Sequence, residues 1–524
     1  MSRTDGTSRA AHGAASHCTD SAEVLARLRA LRELDAPTHG GRILSYVYDP
    51  GLPELDRLAG QATELARPLN GLDPTAFPSI AVMERDLVAF ARRALRGERR
   101  HGMRGGGRVV GSVTSGGTES CLLAAKTARD LWRSENPRLA ARRRPRLLAP
   151  ATAHPAFQKA ARVLDLEWDP VPCEPDGSVR ASEVIRRLGH DVALVVLSAP
   201  AYPSSALDPI AAVSRAAATQ GIACHVDACF GGFALPWWPD LPDWDFRVPG
   251  VTSISADLHK FGYAPKGVSV LLHRGRARHR AQFFATTRWP GYPVVNPTLL
   301  GSRSASPVAA AWAITRRLGA EGYRDLTAAC LRVARGIASE VAGIPGLAVQ
   351  GRPSGPGLAL VADESVPAAD RVDPHLLADE VARLGFRMQL QPGLQQANGV
   401  RLPHSAHLTI TPVIERALPE FSVALRRAAD TVRGRPRPSV GAVLAAMRLL
   451  GYGEDGRVPG PSAAWTLLRL AGIGGRAPGG GAAGAEGGSA LPDRVAPLMA
   501  LIERLPAPVA EALLTELLAR FGEP

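Results

Sequence analysis

Short apolar runs alternate with amphipathic segments of helical period between residues 109 and 272. The runs predict buried strands at 147–149, 192–198, 223–226, 253–255 and 268–272. The intervening segments predict helices at 118–132, 155–164, 182–188 and 209–220. Alternation of this kind indicates a mainly parallel sheet covered by helices on both faces. Ligands of such sheets bind beyond the carboxyl ends of the strands, so chemistry is expected there.

Apolar positions at regular spacing continue on both sides of this region. They predict helices at 21–34 (capped by Ser21), 73–96, 306–341 (broken near 319–322) and 495–521. They predict further strands at 358–361, 387–390 and 407–411. These strands and the helices around them indicate a second, smaller α/β domain.

The order of these elements divides the chain into five predicted parts. They are a disordered N-terminus over 1–20, an N-terminal arm over 21–105, a large ligand-binding domain over 106–305, a small C-terminal α/β domain over 306–433 and a helical extension over 434–524. Within the extension, the Gly/Ala-rich stretch at 474–490 is predicted to be a flexible linker.

Composition changes this picture little. With 524 residues, of which 45% are hydrophobic, the chain can bury a sizeable core. Its apolar stretches are all shorter than the roughly 18 residues of a membrane-spanning helix, and the first 20 residues lack the apolar core of a signal peptide. We therefore predict a cytoplasmic protein without an integral membrane segment.

The spacing of the cysteines argues against a metal site, and the distribution of charge argues against a nucleic-acid partner. The six cysteines show no zinc-type spacing, so we predict reduced thiols and no metal site. The net charge of +13 arises from dispersed arginines, so we predict no nucleic-acid partner. The same positive field favours an acidic or phosphorylated small-molecule substrate.

Lysine is scarce, which makes each lysine a candidate for chemistry. The chain has four, Lys126, Lys159, Lys260 and Lys266, against 58 arginines (62 minus 4). A guanidinium stays protonated and cannot form a Schiff base, whereas a desolvated lysine amine can. Two of the four lysines lie within the single segment 253–270.

A glycine turn lies between a strand and the helix predicted from Thr118. Residues 114–120 read TSGGTES. Gly116 and Gly117 let the backbone approach an anion closely, while free N–H groups and the helix dipole stabilise its charge. Alone, such a turn is equally well explained as a tight turn with a Thr cap.

Two further side chains complete the set. Asp227, in HVDA, ends a predicted strand, where a carboxylate can pair with a protonated ring nitrogen. Lys260, in SADLHK, follows 33 positions later (260 minus 227) at the end of another strand. A phosphate cradle, a partner for a pyridinium nitrogen and a Schiff-base amine are together what pyridoxal 5'-phosphate requires. We therefore predict a pyridoxal-phosphate enzyme.

Five longer stretches around these residues read TSGGTES, AHPAFQKAA, HVDACFGGF, SISADLHKFGYAPKG and NPTLLGSRSASPVAAAWA. In this order they closely resemble the sphingosine-1-phosphate lyases, within the group II pyridoxal-phosphate-dependent decarboxylases. The resemblance runs from about residue 41 to 433. It implies the type I fold of pyridoxal-phosphate-dependent transferases: a large domain with a mainly parallel seven-stranded sheet between helices, and a smaller C-terminal α/β domain.

The resemblance also implies how the cofactor is held. Lys260 would form the Schiff base, Asp227 would pair with the pyridine nitrogen and His154 would stack on the ring. The remaining cofactor contacts would hold the phosphate, and they come from Gly117, Thr118 and His259.

A homodimer with shared active sites follows from the same resemblance, because Gly301 and Ser302 would reach the partner's phosphate. Arg303 would bind a substrate phosphate or form a salt bridge between subunits. Tyr48 and Tyr202 match positions at which related enzymes place tyrosines near the reacting atoms. Each of these two is otherwise an ordinary half-buried tyrosine.

The implied reaction is retro-aldol cleavage of a phosphorylated long-chain amino alcohol to an aldehyde and phosphoethanolamine, with Lys260, Tyr48, Tyr202 and His154 as proton-transfer groups. Amino-acid decarboxylation is the alternative, because the same cofactor breaks whichever Cα bond is held perpendicular to its ring. Phe261 and the pair Ser204 and Ser205 depart from the lyase pattern and keep that alternative open. A third hypothesis is an inactive scaffold, against which the intact Lys260 and Asp227 argue.

Overall fold

The structure, a computed structural model, describes residues 20–98, 107–452, 457–471, 473, 494–521 and 523. Its helices are α1 (Ser21–Arg32), α2 (Pro53–Ala66), α3 (Pro78–Ala94), α4 (Gly117–Glu135), α5 (Pro137–Ala140), α6 (Ala156–Val163), α7 (Ala181–Ile185), α8 (Ile210–Thr219), α9 (Arg276–Arg280), α10 (Ser306–Ala342), α11 (Pro374–Arg383), α12 (Ile414–Val432), α13 (Gly441–Leu449), α14 (Pro461–Leu470), α15 (Ala496–Ile502) and α16 (Ala507–Phe521). Its strands are β1 (Val109–Thr114), β2 (Arg146–Pro150), β3 (Glu167–Val171), β4 (Val192–Ser198), β5 (Ala223–Asp227), β6 (Ser253–Ala256), β7 (Ser269–Arg274), β8 (Phe284–Thr286), β9 (Val294–Asn296), β10 (Leu347–Val349), β11 (Gly357–Ala362), β12 (Gln389–Gln391), β13 (Leu394–Gln395), β14 (Arg401–Leu402) and β15 (Ser405–Thr409).

A seven-stranded sheet forms the centre of the large domain, in the order β1-β7-β6-β5-β4-β2-β3. Its strands are parallel except β7, which runs antiparallel to β1 and β6. Every residue of β4 is buried, as expected for a strand with helices on both faces. The predicted mainly parallel sheet is therefore confirmed. The edge strand β3 escaped prediction because its sequence, EWDPV, carries two acidic residues and a proline.

The direction of β7 decides which strand ends meet. Because β7 is antiparallel to both β1 and β6, those two strands are parallel to each other, and β6 is parallel to β5. The carboxyl ends of β1, β5 and β6 therefore lie at one edge of the sheet. Each is followed by one of the three sequences singled out above: the glycine turn, the segment after Asp227 and the segment that leads to Lys260.

α10 leads from the large sheet to a second sheet of four antiparallel strands, in the order β10-β11-β15-β12. Inside α10, Gly319 has φ 56° and ψ −170°, a non-helical conformation at the break predicted from the sequence. The predicted strands at 358–361, 387–390 and 407–411 correspond to β11, β12 and β15 with small shifts of their bounds.

The C-terminal helices α13, α14, α15 and α16 share an apolar core of their own. They are joined to the small α/β region through Glu503, whose side chain is 1% exposed and pairs with Arg401 (2.7 Å) and Arg437 (2.8 Å). Asp379 caps α15 by accepting hydrogen bonds from the backbone N–H groups of Val495 and Ala496.

Several predictions on secondary structure were wrong. Helix α1 lies in an N-terminal unit, and this unit ends at Thr38. The N-cap of α1 is Asp20 and not Ser21, because the Asp20 carboxylate accepts a hydrogen bond from Ala22 N. α2 was not predicted. The region 495–521 forms two helices and not one, since Pro506 lacks the N–H that a continuous helix needs. The predictions for 1–19 and for the linker at 474–490 lie outside the described residues. In the part of the chain that the structure describes, no helix is both long and apolar enough to span a membrane.

Candidate active site

A cavity of about 380 Å³ opens at the sheet edge where β1, β5 and β6 end. Its walls come from the glycine turn, the start of α4 and the segments that follow β2, β5 and β6. The lining residues are Ser115, Gly116, Gly117, Thr118, Glu119, Cys121, His154, Asp227, Cys229, Asp257, His259 and Lys260. The structure thus brings together seven residues predicted from the sequence or implied by the resemblance.

The glycine turn is packed closely against the residues behind it. A Cβ on Gly117 would lie 2.7 Å from Asp257 Oδ2 and 2.9 Å from Cys229 Sγ, distances that real Cβ contacts do not reach. Gly117 and Thr118 begin α4, a helix of 19 residues, so the unpaired N–H groups of its first turn face the cavity with the positive end of the helix dipole. This turn can therefore hold a phosphate.

Glu119 fixes the position of this turn. One carboxylate oxygen accepts a hydrogen bond from Ser115 N (2.6 Å), and the other accepts from Leu299 N (2.7 Å). Glu119 therefore ties the turn to the segment that leads to Gly301 and Ser302.

Asp227 ends β5 with one carboxylate oxygen engaged. Its Oδ1 accepts hydrogen bonds from Cys229 N (3.0 Å) and from Ser255 Oγ (3.3 Å). Beneath it, both ring nitrogens of His225 are hydrogen-bonded to serine hydroxyls, those of Ser253 and Ser255. Burial lowers the pKa of His225 to about 4, so this ring is neutral. Asp227 Oδ2 makes no hydrogen bond to the described residues and is left for a ligand.

Lys260 forms a buried ion pair. Its Nζ lies 3.0 Å from Asp257 Oδ2, and His259 Nε2 lies 3.4 Å from the same oxygen. Burial disfavours both charges, but their attraction outweighs it: the pKa of Lys260 lies well above its usual range and that of Asp257 lies below. Asp257 thus holds the lysine amine in the cavity.

His154 lines the cavity at the start of α6. Its Nδ1 accepts a hydrogen bond from Ala156 N (3.2 Å), which leaves the ring proton on Nε2. Burial lowers the pKa of His154, so a neutral ring is available there to pack against a flat ligand.

Tyr48 and Tyr202 do not line this cavity but belong to a row of aromatic side chains beside Lys260. Tyr48 packs edge-on against Phe261, Phe261 against Phe230, and Phe230 against Tyr202. Burial raises the pKa of Tyr48 above its usual range and that of Tyr202 to about 12, so both phenols are protonated at neutral pH. Phe261, which departs from the lyase pattern, joins Tyr48 to Phe230 in this row.

Lys266 lies next to Tyr48, with its ammonium 4.5 Å from the centre of the Tyr48 ring. It also donates a hydrogen bond to the His259 carbonyl (3.1 Å). Desolvation, followed by the charge of Lys260, lowers the pKa of Lys266 to about 8. The site therefore has a second amine that can exchange a proton near neutral pH.

Gly301 and Ser302 lie outside the cavity of their own chain and are exposed. The Ser302 hydroxyl accepts a hydrogen bond from the Asn70 side chain (3.2 Å). Arg303 pairs with the partly buried Glu84 (2.6 Å), so within this chain it forms a structural ion pair.

The residues present fit pyridoxal phosphate. Gly117 has no room for a Cβ, so the turn lies close against the cavity residues behind it. Asp227 Oδ2 has no partner among the described residues, and Asp257 Oδ1 is buried without one. The N–H groups at the start of α4 suit its phosphate, Asp227 suits a pyridinium nitrogen, and the Lys260 amine suits its aldehyde.

Reasoning from the sequence missed the supporting residues. Asp257 lies three positions before Lys260, a spacing that brings an acid and a base together and could have signalled the pair. Glu119 gave no such signal, because its second hydrogen bond goes to Leu299, 180 positions away. Cys121 and Cys229, which also line the cavity, were read only as dispersed thiols.

Comparison with known proteins agrees with this site. A family model for the pyridoxal-dependent decarboxylase conserved domain matches residues 51–345. A second, described as "Pyridoxal-dependent enzyme, C-terminal putative HTH domain", matches residues 441–520 and so covers the C-terminal helices. A sphingosine-1-phosphate lyase of Oryza sativa subsp. japonica is 34% identical over 77% of this chain and 70% of its own length.

Two solved structures resemble the whole fold. A sphingosine-1-phosphate lyase of Burkholderia pseudomallei has a TM-score of 0.73 at 34% identity, with 84% of this chain and 97% of that chain covered. A glutamate decarboxylase of Lactobacillus brevis has a TM-score of 0.69 at 20% identity, with 82% and 96% covered, and shows the fold alone. The cofactor of this family is pyridoxal phosphate.

Proposed function

Since the chain belongs to the pyridoxal-dependent decarboxylase family, on its sphingosine-1-phosphate lyase branch, we propose that it cleaves the Cα–Cβ bond of a phosphorylated long-chain amino alcohol. The products are an aldehyde and phosphoethanolamine. The observation that carries this proposal is the likeness to sphingosine-1-phosphate lyases over three quarters of the chain, together with an intact Lys260, Asp227 and phosphate turn in one cavity.

The cofactor supplies the chemistry, and the residues of the cavity bind and orient it. When bound, pyridoxal phosphate supplies an aldehyde that condenses with amines and a ring that accepts the electrons of a broken Cα bond. Asp227 keeps a proton on the ring nitrogen through its free Oδ2, and the glycine turn holds the phosphate. His154 restrains the ring plane. Lys260 Nζ would hold the cofactor through its aldehyde.

Proton transfer falls to the groups around Lys260. The substrate β-hydroxyl must lose its proton as the Cα–Cβ bond breaks, and Cα must gain one afterwards. Lys266 has a pKa of about 8 and lies over the Tyr48 ring, so it can take the first proton. The freed Nζ of Lys260 returns a proton at Cα. Tyr202 is the further candidate on the same aromatic row.

We further propose a homodimer. Large apolar side chains around the β8–β9 hairpin are between 44% and 61% exposed, and they lead directly to Gly301. These residues are Phe284, Trp289, Tyr292, Val295, Leu299 and Leu300. Their contiguity supports an interface with a second copy, at which Gly301 and Ser302 reach the partner's cofactor phosphate. The reduced cysteines Cys121, Cys173, Cys224, Cys229 and Cys330 support a cytoplasmic location.

The decisive experiment is incubation of the cofactor-loaded protein with sphinganine 1-phosphate. We expect a long-chain aldehyde and phosphoethanolamine in equal amounts, measured by mass spectrometry. Lys260→Arg keeps the positive charge next to Asp257 but removes the nucleophilic amine, so it should lose activity by at least about 1,000-fold. Lys159→Arg, a surface change on α6, is the matched control and should leave the rate unchanged.

The same protein is offered a panel of amino acids that includes aspartate and glutamate. Carbon dioxide release without any aldehyde from the lipid phosphate would establish the decarboxylase alternative. A protein that binds pyridoxal phosphate but turns over neither class would support the inactive scaffold.

A further inference from the structure

Two thiols and a carboxylate converge at the floor of the cofactor cavity. The ligand atoms of Cys121, Asp227 and Cys229 lie within 4.8 Å of one another, and all three residues line the cavity. Cys121 comes from the second turn of α4, and Cys229 follows the end of β5 by two residues. One thiol therefore comes from a helix and the other from the turn that directly follows a central strand.

Two sulfurs and one carboxylate oxygen suit a thiophilic divalent cation. Zinc takes sulfur ligands at about 2.3 Å in a tetrahedral arrangement, which separates two sulfurs by about 3.8 Å and leaves a fourth position for water. The set needs to contract by about 1 Å at most to reach this geometry. Asp227 also supplies a negative charge next to the two sulfurs.

We propose that Cys121, Cys229 and Asp227 bind a thiophilic divalent cation, of the Zn²⁺ and Cd²⁺ class, when the cofactor is absent, and that this cation and the cofactor exclude each other. Exclusion follows from Asp227. The cation and the pyridinium nitrogen both require the Asp227 carboxylate, whose Oδ1 already accepts two hydrogen bonds from the described residues. The site does not depend on which Cα bond the enzyme breaks.

Binding exchanges protons and no electrons. Both cysteines are free and buried. A metal ion binds the thiolate form of cysteine, so each thiol must give up its proton. When the cation binds, two S–H bonds break, two sulfur–metal bonds form and two protons leave for solvent.

Cadmium titration of the full-length protein, freed of cofactor and kept reduced, tests the site. We expect one Cd²⁺ per chain, an ultraviolet thiolate-to-metal charge-transfer band and release of two protons. Prior loading with pyridoxal phosphate should remove all three signals, and bound Cd²⁺ should slow cofactor loading at least tenfold.

Cys121→Ala should weaken Cd²⁺ binding at least tenfold. Cys224→Ala is the matched control, since Cys224 is equally buried, lies on β5 and belongs to no such cluster. Equal binding by Cys121→Ala and the wild type, or binding that the cofactor leaves unchanged, would overturn the proposal.

X-ray absorption of the zinc-loaded wild-type protein measures the ligands of the metal directly. It uses no variant, so a folding defect cannot affect the result. Two sulfur neighbours at about 2.3 Å are expected. A first shell with one sulfur or none would reject the site.

Discussion

Gly117 shows how little space separates the phosphate turn from the residues behind it. A methyl group there would meet the Asp257 carboxylate, which also holds Lys260. Glycine is required at this position because the neighbouring atoms leave no room for a side chain, and not because of the backbone conformation of Gly117. One residue without a Cβ therefore allows the turn and the lysine to share a cavity.

Gly117→Ala should weaken pyridoxal phosphate binding at least tenfold, because the turn must move away from Asp257 to admit the methyl group. The measurement is a cofactor titration followed by absorbance. Gly60→Ala is the matched control: the space around Gly60 on α2 is open, so this variant should bind normally and gain up to about 1 kcal/mol of stability. Unchanged affinity in Gly117→Ala would contradict the tight packing.

His273 on β7 should make the fold sensitive to acid. Burial lowers its pKa to about 3, with Nε2 hydrogen-bonded to Gln282. The unfolded chain binds this proton near pH 6.5, so the folded state is fully favoured above that pH and loses stability as the pH falls towards 3. Between pH 7 and pH 5, this one histidine accounts for about 2 kcal/mol.

Urea unfolding of the wild type and of His273→Gln at pH 7 and pH 5 measures the contribution of His273 to the pH dependence of stability. From pH 7 to pH 5, the free energy of unfolding should fall by about 2 kcal/mol less in the variant than in the wild type. The same fall in both proteins would show that His273 is not the group responsible.

At this scale, the sequence predicted the residues whose chemistry is rare and missed those that position them. Lys260 and Asp227 follow from lysine scarcity and strand ends. Asp257 and Glu119 are common residue types, and their role depends on partners that only the fold brings near.

Among the elements, α4 connects most parts of the site. Its first turn begins with the second glycine of the glycine turn, its second turn carries Cys121, and Glu119 joins it to the segment before α10. β4, which is buried on both faces, was predicted to the residue because an apolar run marks it. The edge strand β3 and the break between α15 and α16 depend on local polar and proline residues that interrupt those patterns.

Glu119→Gln should weaken cofactor binding roughly tenfold. The amide can still accept one of the two backbone N–H groups, but it presents an NH₂ to the other, and a hydrogen bond to a charged group contributes about 1.5–3 kcal/mol. Glu135→Gln, at the exposed far end of α4, is the control. If both variants bind the cofactor like the wild type, Glu119 does not set the position of the turn.

At the scale of the whole molecule, the C-terminal helices form a separate core, which is attached to the small α/β region through Glu503 and through the cap that Asp379 provides for α15. The segment matched by the C-terminal family model, residues 441–520, has seven arginines and seven acidic residues. A segment with no net charge lacks the electrostatic attraction that supports non-specific DNA binding, so the absence of a nucleic-acid partner stays our prediction.

Glu503→Gln should loosen this attachment, because Arg401 and Arg437 lose the charge that both of them pair with. We expect a loss of about 2 kcal/mol, below the range for fully buried pairs since both arginines are partly exposed. Hydrogen exchange should speed up in α13–α16 and stay unchanged in α4. Glu511→Gln, on the exposed face of α16, is the control and should change neither the stability nor the rate of hydrogen exchange. Equal effects of the two variants would contradict the role of Glu503.

α10 has a consequence for catalysis in the proposed dimer. It begins four positions after Ser302 (306 minus 302) and ends near β10 of the small sheet. In the proposed dimer, one helix therefore leads from the cofactor phosphate of one subunit to the small α/β region of the other. We expect this connection to couple the two catalytic centres, and the dependence of rate on substrate concentration measures that coupling.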